Sequence, residues 1–166
     1  MATETLTIAR TSVNPLQGLS DSFTVTDSSG ALRFTVHYHL RLGTQEWQIH
    51  DANDAVIATL QRHVHVPPKF TIERPGAATV TIRKGDLMPI HQTWHIEGVE
   101  GGDVTVSGSF NDHEFVFTGA DGSQVAEVSR RWMTMHEGLG IQLAGLDALV
   151  GSCAAIAIDS AENEGH

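Results

Sequence analysis

From Ser22 to Leu143, apolar and polar residues alternate with a period of two, in short runs. These read FTVTD, LRFTVHYHL, EWQIHD, VIATLQRHV, KFTIE, ATVTIRK, QTWHIEG, DVTVSGSF, EFVFTG, QVAEVSRRW and LGIQLAG. Such alternation puts the apolar side chains on one face, and Val, Ile, Thr and aromatic residues suit a pleated, half-buried surface, so each run predicts a strand. Between the runs stand DSSG (Asp27–Gly30), DAND (Asp51–Asp54), RPG (Arg74–Gly76), EGVEGGD (Glu97–Asp103) and GADG (Gly119–Gly122). Their Gly, Asp, Asn and Ser accept turn conformations, so neighbouring strands are expected to pair antiparallel as hairpins. Three hairpins, FTVTDSSGALRFTV, WQIHDANDAVIATL and FVFTGADGSQVAEV, share one form, and a meander of like units around one core predicts a barrel or sandwich.

The pattern breaks at GLDALVGSCAAIAIDSAE. Asp147 is placed to cap a helix, and Ala148 to Ile158 is apolar on nearly every side, with small residues packed among Leu149, Val150, Ile156 and Ile158. A helix without a polar face has to be surrounded. This one is too short to span a bilayer and is expected inside the closed sheet. The competing reading is a final buried strand around AIAI, against which stands the weak strand propensity of Ala and Gly. The expected organisation is an N-terminal extension over residues 1–21 with a candidate first strand, one domain over 22–159 with the helix near 147–159, and an acidic disordered tail over 160–166.

A chain of 166 residues buries a sizeable core without disulfides or metal. Its formal charge of −10 repels phosphate backbones, so nucleic acid is not an expected partner. Cys153 is the one cysteine, which excludes an intramolecular disulfide and a Cys-rich zinc site and fits a reducing compartment. The start MATETLTIAR lacks the basic end and apolar stretch of a secretory signal, and no apolar run reaches the roughly 18 residues of a membrane-spanning helix. A cytoplasmic location follows as the expectation, and no cofactor is expected.

The second half of the chain adds a resemblance. Gly108, Asp112, His113, Glu114 and Phe115 match a G-x-x-x-D-H-E-[YF] pattern, Val128 to Trp132 match V-S-[KR]-[KR]-W, and Leu139 to Ile141 carry the following L-G-I. Together with D-A-L-[VI]…A…A…[IV]-D over the terminal apolar segment, these resemble the LURP-one-related family of the tubby C-terminal-like superfamily, which also includes phospholipid scramblases. The resemblance covers roughly Ser22 to Asp159. It implies a mainly β fold, an antiparallel closed or nearly closed barrel of about twelve strands around a central apolar C-terminal helix. It implies no catalytic residues. Relatives in the superfamily are linked to phosphoinositide binding and lipid scrambling, which points to a non-enzymatic binding module with a lipid headgroup or a protein as its partner.

Candidate chemistry sits in two His-x-His pairs. In a strand, residues i and i+2 face the same side, so His37 with His39, and His63 with His65, each present two imidazoles as candidate metal ligands. His91 with His95 share a face in the same sense. The register of Leu32, Phe34 and Val36, and of Val64 and Val66, turns the two pairs outward if the apolar sets face the core. A metal-dependent barrel enzyme using these pairs is thus an alternative, and a self-assembling scaffold is another.

Asp112, His113 and Glu114 form an acid–base set, but adjacent strand residues point to opposite faces and cannot converge. Arg62, Lys69, Arg130 and Arg131, with Arg83 and Lys84, are a candidate basic patch for a phosphate headgroup. Arg130 and Arg131 alternate sides, so a solvated strand face is the plainer expectation. Cys153 reads as a small buried hydrophobe, and Trp47, Trp94 and Trp132 as core fillers. The less regular stretches MPIHQTW and WMTMHEG are the expected neighbourhood of any groove.

Overall fold

The computed structural model describes residues 3–11, 22–41, 44–64, 67–85, 93–130 and 138–162. Within them the alternation becomes twelve strands: Glu4–Thr11 (β1), Ser22–Asp27 (β2), Leu32–Arg41 (β3), Thr44–Asp51 (β4), Val56–His63 (β5), Lys69–Glu73 (β6), Val80–Lys84 (β7), Thr93–Glu97 (β8), Val104–Ser109 (β9), Glu114–Thr118 (β10), Gln124–Val128 (β11) and Leu139–Leu143 (β12). Each strand pairs antiparallel with its sequence neighbours, and β1 closes the circle on β12, with Leu6 opposite Ile141 and Ile8 opposite Leu139. Closure leaves no free sheet edge among the described strands.

The N-terminal boundary moves accordingly. Leu6 and Ile8 alternate with threonines and are fully buried, so the candidate first strand within residues 1–21 is Glu4–Thr11, an integral stave of the barrel, and the domain begins there instead of at Ser22.

Helix Ala148–Glu162 (α1) threads the interior. A barrel of eight strands is already filled by its own side chains, so twelve leave a lumen about as wide as a helix of 10–12 Å diameter. Leu149 through Asp159 are all buried, and Ala154, Ala155, Ala157 and Ile158 have no exposed surface. The small residues matter at close quarters: a Cβ on Gly151 would lie 2.7 Å from a methyl of Leu143. Around the helix, inward residues of the strands form one shell that includes Trp47, Phe70, Trp94, Phe115 and Phe117. Trp47, Phe70 and Trp94 follow one another with ring centroids 6.3 Å apart at each step. Trp132 lies outside the described residues.

The helix ends are held by different chemistry. At the start, the Val150 N–H donates to Asp147 Oδ1 at 3.0 Å, the expected cap. At the finish, Asp159 and Glu162 put two carboxylates at the negative pole of the helix dipole, an unfavourable placement that needs compensation. His113 Nδ1 meets Asp159 Oδ1 at 2.5 Å, Lys84 Nζ lies 2.9 Å from Glu162 Oε1, and the Trp94 indole N–H donates to that same oxygen at 2.8 Å. Residues 160–162 are thus the last turn of a docked helix, not the beginning of a disordered tail; residues 163–166 lie outside the described residues.

Cys153 sits on the enclosed helix with 1% of its surface exposed, and burial pushes its thiol up from 9.0 to about 12. Native protein at pH 8 should therefore react with iodoacetamide only at the rate of global opening, and at full speed in denaturant. Mass spectrometry of labelled protein checks this; fast native labelling would mean that the helix is accessible. The sign of the linkage is fixed too. An unfolded thiol ionises from about pH 9.0 and the folded one only near 12, so stability declines with rising pH across that interval.

Candidate functional site

Because a meander alternates its ends, the β2–β3, β4–β5, β6–β7, β8–β9 and β10–β11 connections all lie at one end of the barrel. The β8–β9 and β10–β11 turns, the Arg74 end of β6 and the link from β12 to α1 surround a cleft of about 550 Å³ beside the start of the helix. Its walls combine apolar side chains (Val99, Val104, Val125, Leu146, Val150) with the backbone of Gly101, Gly102, Gly119 and Gly145. Its charges are Glu100, Asp121 and Asp147 against one cation, Arg74. Arg74 Nη1 lies 3.3 Å from Asp147 Oδ1, while its buried Nε has no hydrogen-bond partner. Asp121 folds its own turn: it accepts the Ser123 hydroxyl at 2.6 Å and the Ser123 N–H at 2.9 Å, which hold its carboxyl below the usual carboxylate value.

This cleft is not where the irregular stretches pointed. Residues 86–92 and 131–137 lie outside the described residues, and the strand ends that flank them, Lys84 and Val128, are at the opposite end from the cleft.

The histidines redistribute. His37 and His39 are exposed on the outer wall, as the burial of Val36 requires. His37 does not turn to His39, however. Its ring meets that of His50 on β4 edge-on, with centroids 4.7 Å apart and planes at 81°. Thr35 is opposite His50 and His37 opposite Gln48, which makes the two histidines diagonal neighbours across the β3–β4 pair. His50 Nδ1 is in turn 3.0 Å from Asp54 Oδ1 in the β4–β5 turn. Partial desolvation first, then the adjacent His50, hold His37 below its ordinary value.

His63 points outward and shares a 2.7 Å hydrogen bond between its Nε2 and the Thr71 hydroxyl. Val64 is 99% exposed instead of inward. The reason is that β5 ends at His63, and the alternation of faces ends with it. His65, Val66 and His91 lie outside the described residues.

The basic patch does not assemble on one face. Arg62 is opposite buried Phe70 and lies over its ring, 5.6 Å from the centroid, on the inner side of the rim. Lys69 is opposite His63 and Arg83, on the outer wall, where Arg83 pairs with Glu97. Lys84 faces inward to Glu162. The Arg130 N–H donates to Glu114 Oε1 at 2.9 Å, and Arg131 lies outside the described residues.

The NDHEF motif divides three ways. Asp112 accepts the Ser109 hydroxyl at 2.6 Å, Glu114 accepts the Arg130 amide, and His113, at a φ of 57°, turns inward to Asp159. It is a structural lock between the β9–β10 turn and the helix end. Sequence reasoning missed this pairing, and also His50 and Asp54, because cross-strand and long-range partners leave no spacing signal.

Comparisons with known proteins agree with this architecture. A crystal structure of an Arabidopsis thaliana protein superposes with a TM-score of 0.64 over 95% of this chain and 90% of that one, at 18% identity, which supports the fold alone. No curated protein sequence matches the chain. The sequence profile described as LURP-one-related matches residues 4–159, from the first residue of β1 to the His113 partner on α1, and the chain belongs to that family.

Proposed function

We propose that the protein is a non-enzymatic binding module that holds a segment of a protein partner in the cleft beside the helix start. The supporting observation is the composition of that cleft: apolar walls and turn backbone, with three carboxylates around one guanidinium that is already engaged by Asp147. An anionic lipid headgroup entering there meets like charge. A peptide carrying an apolar residue flanked by Lys or Arg finds a complementary surface, including exposed turn backbone able to bond its main chain. Ser123 gives its hydroxyl to Asp121 within the turn, so the hydroxyl in this wall serves the fold.

Selection of a random peptide library against the whole chain tests the reading. Recovered peptides should be basic and apolar, should shift the amide resonances of residues 99–102 and 119–123, and should lose binding to an Ala120→Trp variant whose melting temperature is unchanged. Ala120 is an exposed turn residue on the cleft wall, so the added ring fills the cleft without touching the core. Co-sedimentation with phosphatidylserine vesicles that Ala120→Trp abolishes, with no peptide recovered, would transfer the assignment to a lipid headgroup.

A further inference from the structure

We infer that His37, His50 and Asp54 form a site for a divalent first-row transition ion of the zinc type, on the outer wall where β3, β4 and the β4–β5 turn meet. One ligand atom from each of the three lies within 4.8 Å of the others. Ligands about 2.0–2.2 Å from a tetrahedral zinc are roughly 3.4 Å apart, so small rotations of the exposed His37 ring complete the geometry. The His50–Asp54 separation, 3.0 Å, is already in that range. Two imidazoles and a carboxylate are the ligand types such ions favour, with a fourth position left for water or another ligand. An ion seated there would bridge His50 Nδ1 and Asp54 Oδ1, which now face each other directly.

The scaffold holds these groups before any ion arrives. Asp51 closes the turn by accepting the N–H groups of Asn53 and Ala55 at 2.9 and 3.0 Å, and the Asp54 N–H donates to the Asp51 carbonyl at 3.0 Å. Asp54 itself has a φ of 65°. The two sister turns of this chain fill the equivalent position with glycine, Gly30 at 85° and Gly122 at 86°. A carboxylate therefore stands where the fold is content with hydrogen, and it is aimed at His50.

The test uses the whole chain without a histidine tag, titrated with ZnSO4 and followed by calorimetry and thermal melting. One zinc should bind per chain and raise the melting temperature, as a ligand of the native state must. His50→Gln and Asp54→Gly should each weaken binding at least about tenfold. Asp54→Gly should melt no lower than the parent without metal, since it restores the residue of the sister turns. His39→Gln, on the same face one pleat away, should bind as the parent does. The proposal fails if the parent takes up no zinc, if His50→Gln and Asp54→Gly keep full affinity, or if His39→Gln loses as much as His50→Gln.

Discussion

Ala155→Asp should yield no soluble folded protein. Ala155 has no exposed surface and lies mid-helix inside a sheet that closes on itself. An unpaired buried charge costs several kcal/mol even after relaxation, a large share of the roughly 5–15 kcal/mol by which a typical domain is stable, and the added carboxyl also overpacks a filled interior. Ala155→Gly separates charge from general fragility. It removes one buried methyl and adds helix flexibility, about 2 kcal/mol in all, and should still fold. Soluble yield and thermal melts by circular dichroism check both variants; an Ala155→Asp protein that melts like the parent would mean the helix is not enclosed.

The second large effect belongs to the other end of α1. Lys84→Met should destabilise the protein by about 3–5 kcal/mol, because it strands Glu162 as a buried carboxylate. The side chains of Lys84 and Glu162 are 17% and 6% exposed, so water replaces little of what is lost. For a chain of this size that loss corresponds to a fall in melting temperature of about 10 °C. Adding Glu162→Gln should recover much of the loss: the neutral amide oxygen still accepts the Trp94 indole N–H while the unpaired charge is gone. If Lys84→Met melts within a degree or two of the parent, the pair is solvated and the last helical turn is not docked.

Much of the fold was legible in the chain because strand pairing here is local. DSSG, DAND, RPG, EGVEGGD and GADG all became connections at one end of the barrel, since turn chemistry and period-two alternation are both properties of adjacent residues. The departures have two causes, partners far along the chain and a pattern carried past the end of its strand. ETLTIART carries the same alternation as the other strands and pairs with β2 beside it, but that it closes the barrel is decided by its pairing with β12, more than a hundred residues away. Glu162 reads as tail until Lys84 and Trp94 are seen against it. Val64 lies one residue past the end of β5, so the alternation of faces that would turn it inward no longer applies.

The candidate sites show the same division. Sequence alone determined that His37 and His39 face away from Val36, that Cys153 is buried, and that a helix apolar all round must be enclosed, because each follows from residue type and periodicity. Only the tertiary structure decided that His37 meets His50 and Asp54, that Arg62 and Lys69 lie on opposite sides of the sheet, and that His113 closes on Asp159. It also decided which turns surround the cleft. Periodicity fixes the face on which a side chain lies; its partner across the sheet is set by register and closure, which depend on how the whole apolar set packs at once.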